Sequence, residues 1–431
     1  MFQTIRNAWK IEELRGKMIF TVFVVLLYRL GNSVPVPYVD TMMLRAYFSQ
    51  MQNTVLGLLN VMSGGAFSQA TIFALSIQPY INSSIIMQLL GIAIPALERM
   101  QKDEGEEGKK KIAAITRYAT VAIALLQGSA YYMLIARNNM LTETGLWQGI
   151  VIVMTFTAGS ALIMWLGEQI TEFGIGNGIS IILFASILSR FPTSIQTMLN
   201  SGVADGTVPI WMFILMLLGA LAIVVLVVFV SDAERQIPIE YSKRVVGRKM
   251  YGGQSTRLPM KVNMSGIMPV IFAQTIASLP LTIAAFFPAP AEGTFWAGFL
   301  KVVGAESVVY VIVYFLLIVF FSYFYSTIQF NPIEIANNLR KNGGFIPGFR
   351  AGRPTAEFIQ KVLSKITLFG AIYLSIIAVT PLIISLVSET ARDSGLSLGG
   401  TSVIIVVGVA LETVKALEAQ MLMRHYRGFL E

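Results

Sequence analysis

Apolar residues along this chain gather into ten long runs, at 18–34, 70–97, 112–135, 149–166, 179–199, 208–230, 267–287, 308–328, 366–387 and 401–423. A helix needs about 20 predominantly apolar residues to cross the hydrocarbon core of a bilayer, so the pattern predicts ten membrane-spanning helices. Two of the intervening polar gaps are too long and too patterned to be simple connectors. In 234–261, Ile237, Ile239 and Tyr241 alternate with polar residues while Gly252 and Gly253 supply turn positions, which predicts a short β-hairpin. In 331–365 the cluster Asn342-Gly343-Gly344-Phe345-Ile346-Pro347-Gly348-Phe349-Arg350 predicts a shaped loop. The stretch 56–68 is too short to cross, too apolar for water and flexible at its glycines, which predicts a segment that folds back into the protein.

Composition agrees with the pattern. Hydrophobic residues make up 55% of the chain, charged residues 13%, and the mean hydropathy is +0.67, beyond what a water-soluble core needs. Of the 32 lysines and arginines, 26 fall at the N-terminus, in alternate gaps (99–117, 235–261 and 340–365) and in the C-terminal tail. The positive-inside rule then places both termini in the cytosol, and the net charge of +8 describes a basic cytosolic face rather than general affinity for nucleic acid. Five runs precede the polar stretch 200–207 and five follow it; five being odd, the second half enters the membrane in the opposite sense. The expected division is 1–200 and 201–431, as inverted halves. The first run lies behind a charged start (Arg6, Lys10, Glu12, Glu13, Arg15, Lys17) with no small-residue cleavage site, which predicts a retained helix.

The chemistry inside the runs is sparse. Ion-coupled transporters place acids, His or Lys at bilayer depth, whereas here only Glu412 falls well inside a run, and Lys415 three residues on is its expected helical partner. Polarity is instead uncharged: Gln78, Asn82, Ser83, Ser84 and Gln88, then Gln127, then Ser180, Ser186 and Ser189, then Asn263, Gln274 and Thr275. Cysteine is absent, the single His425 stands among Arg424, Tyr426 and Arg427, and no Gly-rich Lys-Ser/Thr phosphate loop occurs. A small-solute transporter would require the missing midplane charge, and a membrane enzyme lacks the His, Cys and buried acids for a site.

Several motifs are long and chemically odd: Ser63-Gly64-Gly65-Ala66, IFALSIQPYINSSIIMQLL at 72–90, MWLGEQITE at 164–172, GIGNGIS at 174–180, LPMKVNM at 258–264, FNP at 330–332 and GGTS at 399–402. In them, and over nearly its whole length, the chain resembles the SecY/Sec61 family of protein-conducting channels. The resemblance implies an all-α polytopic membrane protein whose ten helices form an hourglass between two inverted five-helix halves. It assigns a pore ring to Ile77, Ile81, Ile179, Leu183, Ile271 and Ile405, with Leu183 where isoleucine is commoner. It assigns a plug to about 57–67, including Met62, Ser63, Gly64, Gly65, Ala66 and Phe67, and a lateral gate to Asn82, Ile85, Gln127, Asn263 and Leu279. The cytosolic loops at about 231–262 and 329–365, through Lys243, Arg244, Arg248, Lys249, Arg340 and Arg350, would dock a SecA ATPase or a ribosome, with contact to ribosomal RNA. Implied too are the small subunits SecE and SecG, signal-peptide-bearing substrate polypeptides, a bacterial cytoplasmic membrane, and neither catalytic residues, cofactor nor metal. The ring chemistry suits such a role: aliphatic side chains yield to any passing sequence without chemical preference, and they dewet a narrow constriction against ions. A side exit is needed because apolar substrate segments gain roughly 0.3 to 0.6 kcal/mol per central Leu, Ile, Phe or Val on insertion.

Overall fold

The computed structural model describes residues 2–50, 55–102, 104–197, 199, 210–241, 244–246, 249–251, 255–263, 266–285, 294–304, 307–387 and 399–427. In chain order the helices are α1 (Phe2–Trp9), α2 (Glu12–Gly31), α3 (Thr41–Gln50), α4 (Val55–Met62), α5 (Gln78–Ala93), α6 (Pro95–Lys102), α7 (Gly105–Arg137), α8 (Leu146–Phe173), α9 (Gly178–Thr197), α10 (Ile210–Asp232), α11 (Met268–Ala285), α12 (Phe295–Val303), α13 (Val308–Gln329), α14 (Pro332–Lys341), α15 (Arg353–Val387) and α16 (Gly399–Arg427). The strands are β1 (Glu234–Tyr241), β2 (Arg244–Val246), β3 (Lys249–Tyr251), β4 (Ser255–Lys261) and β5 (Gly344–Phe345), and a 3-10 turn occupies Phe67–Gln69.

Each of the ten apolar runs carries a helix: α2, α5, α7, α8, α9, α10, α11, α13, α15 and α16. Among the described residues four stretches are both long and apolar enough to cross a membrane: Gly105–Arg137, Leu146–Phe173, Val308–Lys341 and Arg353–Ile384. Outward faces stay apolar, as on α10, where Leu215, Leu218, Leu221, Val225 and Phe229 are all exposed. A continuous apolar exterior of that kind is a liability in water and the normal surface in lipid. The chain is a membrane protein.

The second run departs from expectation at its start. Thr71 bridges to Pro35, residues 72–77 form turns, and α5 begins only at Gln78. Pro79 sits in the first turn of α5, where its missing N–H leaves nothing unpaired. Just upstream, Ala70 and Ser76 hold φ of 44° and 51°, which no right-handed helix continues through. At the far end Ile94 is extended, as a residue before proline tends to be, so α5 stops and α6 starts at Pro95.

Packing falls into two groups. In one, α5 lies on α7, α7 on α8, α8 on α9, and α2 on α8 and α9; in the other, α11 lies on α13, α13 on α15, and α10 and α15 on α16. The groups meet where α9 and α1 pack on α16 and where α4 touches both α9 and α11. The expected Glu412 to Lys415 pair does not form. Lys415 Nζ instead lies 2.6 Å from Asp232 Oδ1 at the end of α10, because the packing of α10 on α16 brings a carboxylate from another helix within its reach.

The two patterned gaps form one body. β1 and β4 make the expected antiparallel hairpin, in the register Glu234↔Lys261 to Glu240↔Ser255, and β2 pairs with β3 nearer the tip. Gly252 and Gly253, the expected turn, lie outside the described residues. β5 from the second gap joins the other edge of β1, giving the order β4-β1-β5. The alternation in the sequence has its cause here: Ile237 and Ile239 point to one face and are buried with Met260, Leu339, Ile346, Ile359, Val362 and Leu363. The second gap is more ordered than a shaped loop. Asn331 caps α14, its Oδ1 accepting from Ile333 N (3.2 Å) and Glu334 N (3.4 Å), with Pro332 in the first turn. α15 starts 13 residues before the apolar run it carries, at Arg353 rather than at 366.

One close approach fixes the turn before α5. A Cβ on Gly159 of α8 would lie 1.9 Å from the Ile72 carbonyl oxygen, so only glycine lets this backbone pass. Gly159→Ala is expected to cost about 1–3 kcal/mol through forced displacement, read as a lower unfolding midpoint in detergent.

Candidate functional site

The six proposed ring residues come from four elements. Ile77 stands at the N-cap of α5 and Ile81 one turn inside it; Ile179 and Leu183 lie on the first turns of α9, Ile271 on α11 and Ile405 on α16. Ile77, Ile81, Leu183, Ile271 and Ile405 are 1–5% exposed and belong to one apolar cluster, and Ile179 is half-buried against it. The GIGNGIS motif explains how α9 is aimed. Asn177 Oδ1 accepts from Ile179 N (3.1 Å) and Ser180 N (3.3 Å), capping the helix, while Thr171 Oγ1 accepts from Gly178 N at 2.9 Å. A Cβ on Gly178 would lie 1.9 Å from the Gly167 carbonyl oxygen, so the motif sets α9 tightly on α8 and turns Ile179 and Leu183 toward the cluster.

The expected plug is a helix with an anchored tail. α4 ends in a Schellman motif: Gly65 N donates to Asn60 O and Gly64 N to Val61 O, with Gly64 at φ 67°. Met62 is buried in the same cluster as the ring residues and accepts from Gln78 Nε2 at 3.1 Å. Asn32 of α2 donates to the Ser63 carbonyl (3.4 Å), and Ser63 Oγ accepts from Phe67 N (3.1 Å). Beyond the glycines the character changes. Phe67 stacks on Tyr131 (centroids 4.2 Å apart) and meets Phe48 edge-on, Tyr131 packs on Phe156, and the Tyr131 hydroxyl donates to the Phe67 carbonyl. This second core, with Val36, Leu44, Leu134 and Ile152, is separate from that of the ring. The sequence reading missed it, although a tyrosine in an apolar run signals a buried hydroxyl in need of an acceptor.

The residues expected at a lateral gate are dispersed along α5, α7 and α11 and the bend before α11. Ile85 is buried, Asn82 and Gln127 are half-buried, and Leu279 is exposed. Asn263 lies with its backbone against Gly370 of α15. Among the described residues α11 makes no contact with α5 or α7 comparable to its packing on α13. The side-chain carbonyl oxygens of Asn82, Asn263 and Gln274 have no hydrogen-bond partner among the described residues.

Of the docking residues, Arg340 is exposed in the last turn of α14 and Arg350 is exposed beside it in the loop that leads to α15, where its carbonyl accepts from Thr355 Oγ1 at 2.8 Å. Arg244 and Lys249 stand on β2 and β3, while Lys243 and Arg248 lie outside the described residues.

These features define a polytopic α-helical membrane protein with an apolar junction between two helix groups, against which a short helix packs. The SecY family model matches residues 71–414. The protein translocase subunit SecY of Streptomyces griseus is 44% identical and that of Streptomyces scabiei 42%, each covering 100% of both chains, and that of Corynebacterium glutamicum is 42% identical over 99% of each. The chain belongs to the SecY family. Among solved structures, one described as a protein conducting channel covers 95% of this chain and 93% of its own at a TM-score of 0.64 and 16% identity. Another, of SecY with a plug domain said to stabilise the closed state and maintain a membrane seal, covers 95% and 92% at 0.66 and 17%. Sec61 in the canine ribosome-channel complex covers 95% and 93% at 0.60 and 16%. The fold is that of these channels.

Proposed function

We propose that this chain is the pore-forming subunit of a protein translocase, which conducts unfolded secretory polypeptides across the bacterial cytoplasmic membrane and releases apolar segments sideways into the bilayer. The observation that supports the reading is that Ile77, Ile81, Leu183, Ile271 and Ile405, from α5, α9, α11 and α16, are all buried in one large apolar cluster that also holds Met62 of α4. Aliphatic groups from both helix groups can part around a passing chain and close again without trapping any side-chain type. The junction of α5 and α11, poor in contacts among the described residues, is the proposed exit.

Energy comes from outside, since the sequence has no phosphate-binding loop. The basic cytosolic sheet and loops, with Arg340, Arg350, Arg244, Lys249, Lys243 and Arg248, are the proposed docking face for SecA or a translating ribosome, and SecE and SecG are the proposed helical companions. The charge distribution supports a cytosolic position for both termini. The test is import of an unfolded precursor into proteoliposomes holding the chain, co-expressed small subunits and the ATPase. ATP-dependent protection of the precursor is expected, and Arg350→Glu is expected to reduce its rate about tenfold, the order of one lost charge-assisted contact. Absence of protected precursor with the unaltered chain would remove the channel reading, and normal import with Arg350→Glu would remove only the docking role.

A further inference from the structure

α1 has a face that nothing among the described residues covers. Ala8 is fully buried and forms a small core with Leu14, Ile175 and Leu417, and Thr4 Oγ1 donates to Glu418 Oε1 of α16 at 3.0 Å. One edge of the helix is therefore fixed to the protein. About a quarter turn away, Ile5 and Trp9, one helical turn apart, stand 40% and 49% exposed. Next around the helix comes Arg6, followed by Lys10 in the turn just after Trp9, both exposed and neither paired with an acid among the described residues. No acidic residue occurs in 2–10; Glu12 and Glu13 belong to the first turn of α2, where the helix dipole favours them. Apolar ridge, adjoining basic edge and protein-bound back follow one another around a helix of eight residues.

Such an order suits a helix lying in the plane of a membrane surface. The isoleucine and tryptophan reach the boundary of the acyl chains while the cations meet headgroups. A tryptophan beside cations is the side-chain set of that interface, its ring apolar and its N–H wet. We propose that α1 is a surface anchor for anionic phospholipid headgroups, bound by Arg6 and Lys10 with Ile5 and Trp9 seated beneath them. Through Ala8, Leu14, Leu417 and Thr4 this seat also braces α16 and the entry to α9, the joint between the two helix groups. Charge complementarity singles out anionic lipid: each Lys or Arg near such a surface contributes about fivefold, so the two together favour the seated state roughly 25-fold over that on a neutral bilayer.

The chain has no cysteine, so single labels are clean. Ile5→Cys and Asn7→Cys, each carrying an environment-sensitive nitrobenzoxadiazole label, would be compared in nanodiscs of phosphatidylcholine with 0–40% phosphatidylglycerol. The label at Ile5 is expected to shift to the blue and to be quenched by shallow doxyl-lipid, increasingly with phosphatidylglycerol; the label at Asn7 is expected to stay accessible to aqueous iodide. Arg6→Glu with Lys10→Glu should abolish the dependence on phosphatidylglycerol, with Arg6→Gln and Lys10→Gln used instead if the unfolding midpoint falls. Equal iodide access at both positions would overturn the proposal. So would doxyl quenching that ignores lipid charge, and so would a blue shift without doxyl quenching, which would mean that protein covers the face.

Discussion

Ile405→Asn is expected to raise the resting ion conductance of the reconstituted channel about tenfold or more. Ile405 is 1% exposed, in a cluster with Ile77, Ile81, Leu183 and Ile271. An amide placed among them has no partner, and leaving it dry costs about 1–3 kcal/mol. Admitting water removes that cost, and about 1.4 kcal/mol is a factor of ten in the ratio of wet to dry states. Ile405→Val keeps the site apolar and should leave the leak unchanged. Current through planar bilayers measures both, and a silent Ile405→Asn channel would take the residue out of the constriction.

Phe67→Ala is expected to cost about 3–5 kcal/mol of stability, as the loss of a buried phenylalanine commonly does, and to loosen the proposed plug. The ring is held between Phe48 and Tyr131, and its carbonyl accepts from the Tyr131 hydroxyl. Arg45 Nη2 bonds Gln69 Oε1 at 2.6 Å, and Val36 N bonds Ala70 O at 2.9 Å, so the tail of the segment is tied on several sides. α4 packs on α9 and α11, places Leu56 and Leu59 in the same second core as Phe67, and joins its tail through two glycines at φ 67° and 91°. Removing the anchor should let α4 drift, so a Met62→Cys reporter should react faster with aqueous maleimide in the Phe67→Ala background. Unchanged labelling there would show that α4 is held independently of its tail.

Helix placement was legible in the sequence because lipid imposes a single requirement on every span: a long apolar surface with its backbone satisfied within the helix. The hairpin at β1 and β4 was legible for a similar reason, since the alternation of Ile237 and Ile239 answers to one buried face. What escaped was set by distant partners. Nothing local says that residues 72–77 turn, because the cause includes the passage of Ile72 across Gly159 far along the chain. Nothing near Lys415 names Asp232. β5 is two residues long and exists only because β1 offers it an edge. The ring positions were legible only through the likeness to a known family: periodicity alone gives a buried isoleucine at a helix junction the same appearance as any other.

The pairing of β1 with β5 has a mechanical consequence. With Tyr241 set over Gly344 and a common core beneath, the hairpin that leaves α10 and the segment that leads into α15 cannot be tugged separately. A pull on either would swing both as one crank, and the stroke would arrive together at the adjoining ends of α10, α11, α14 and α15.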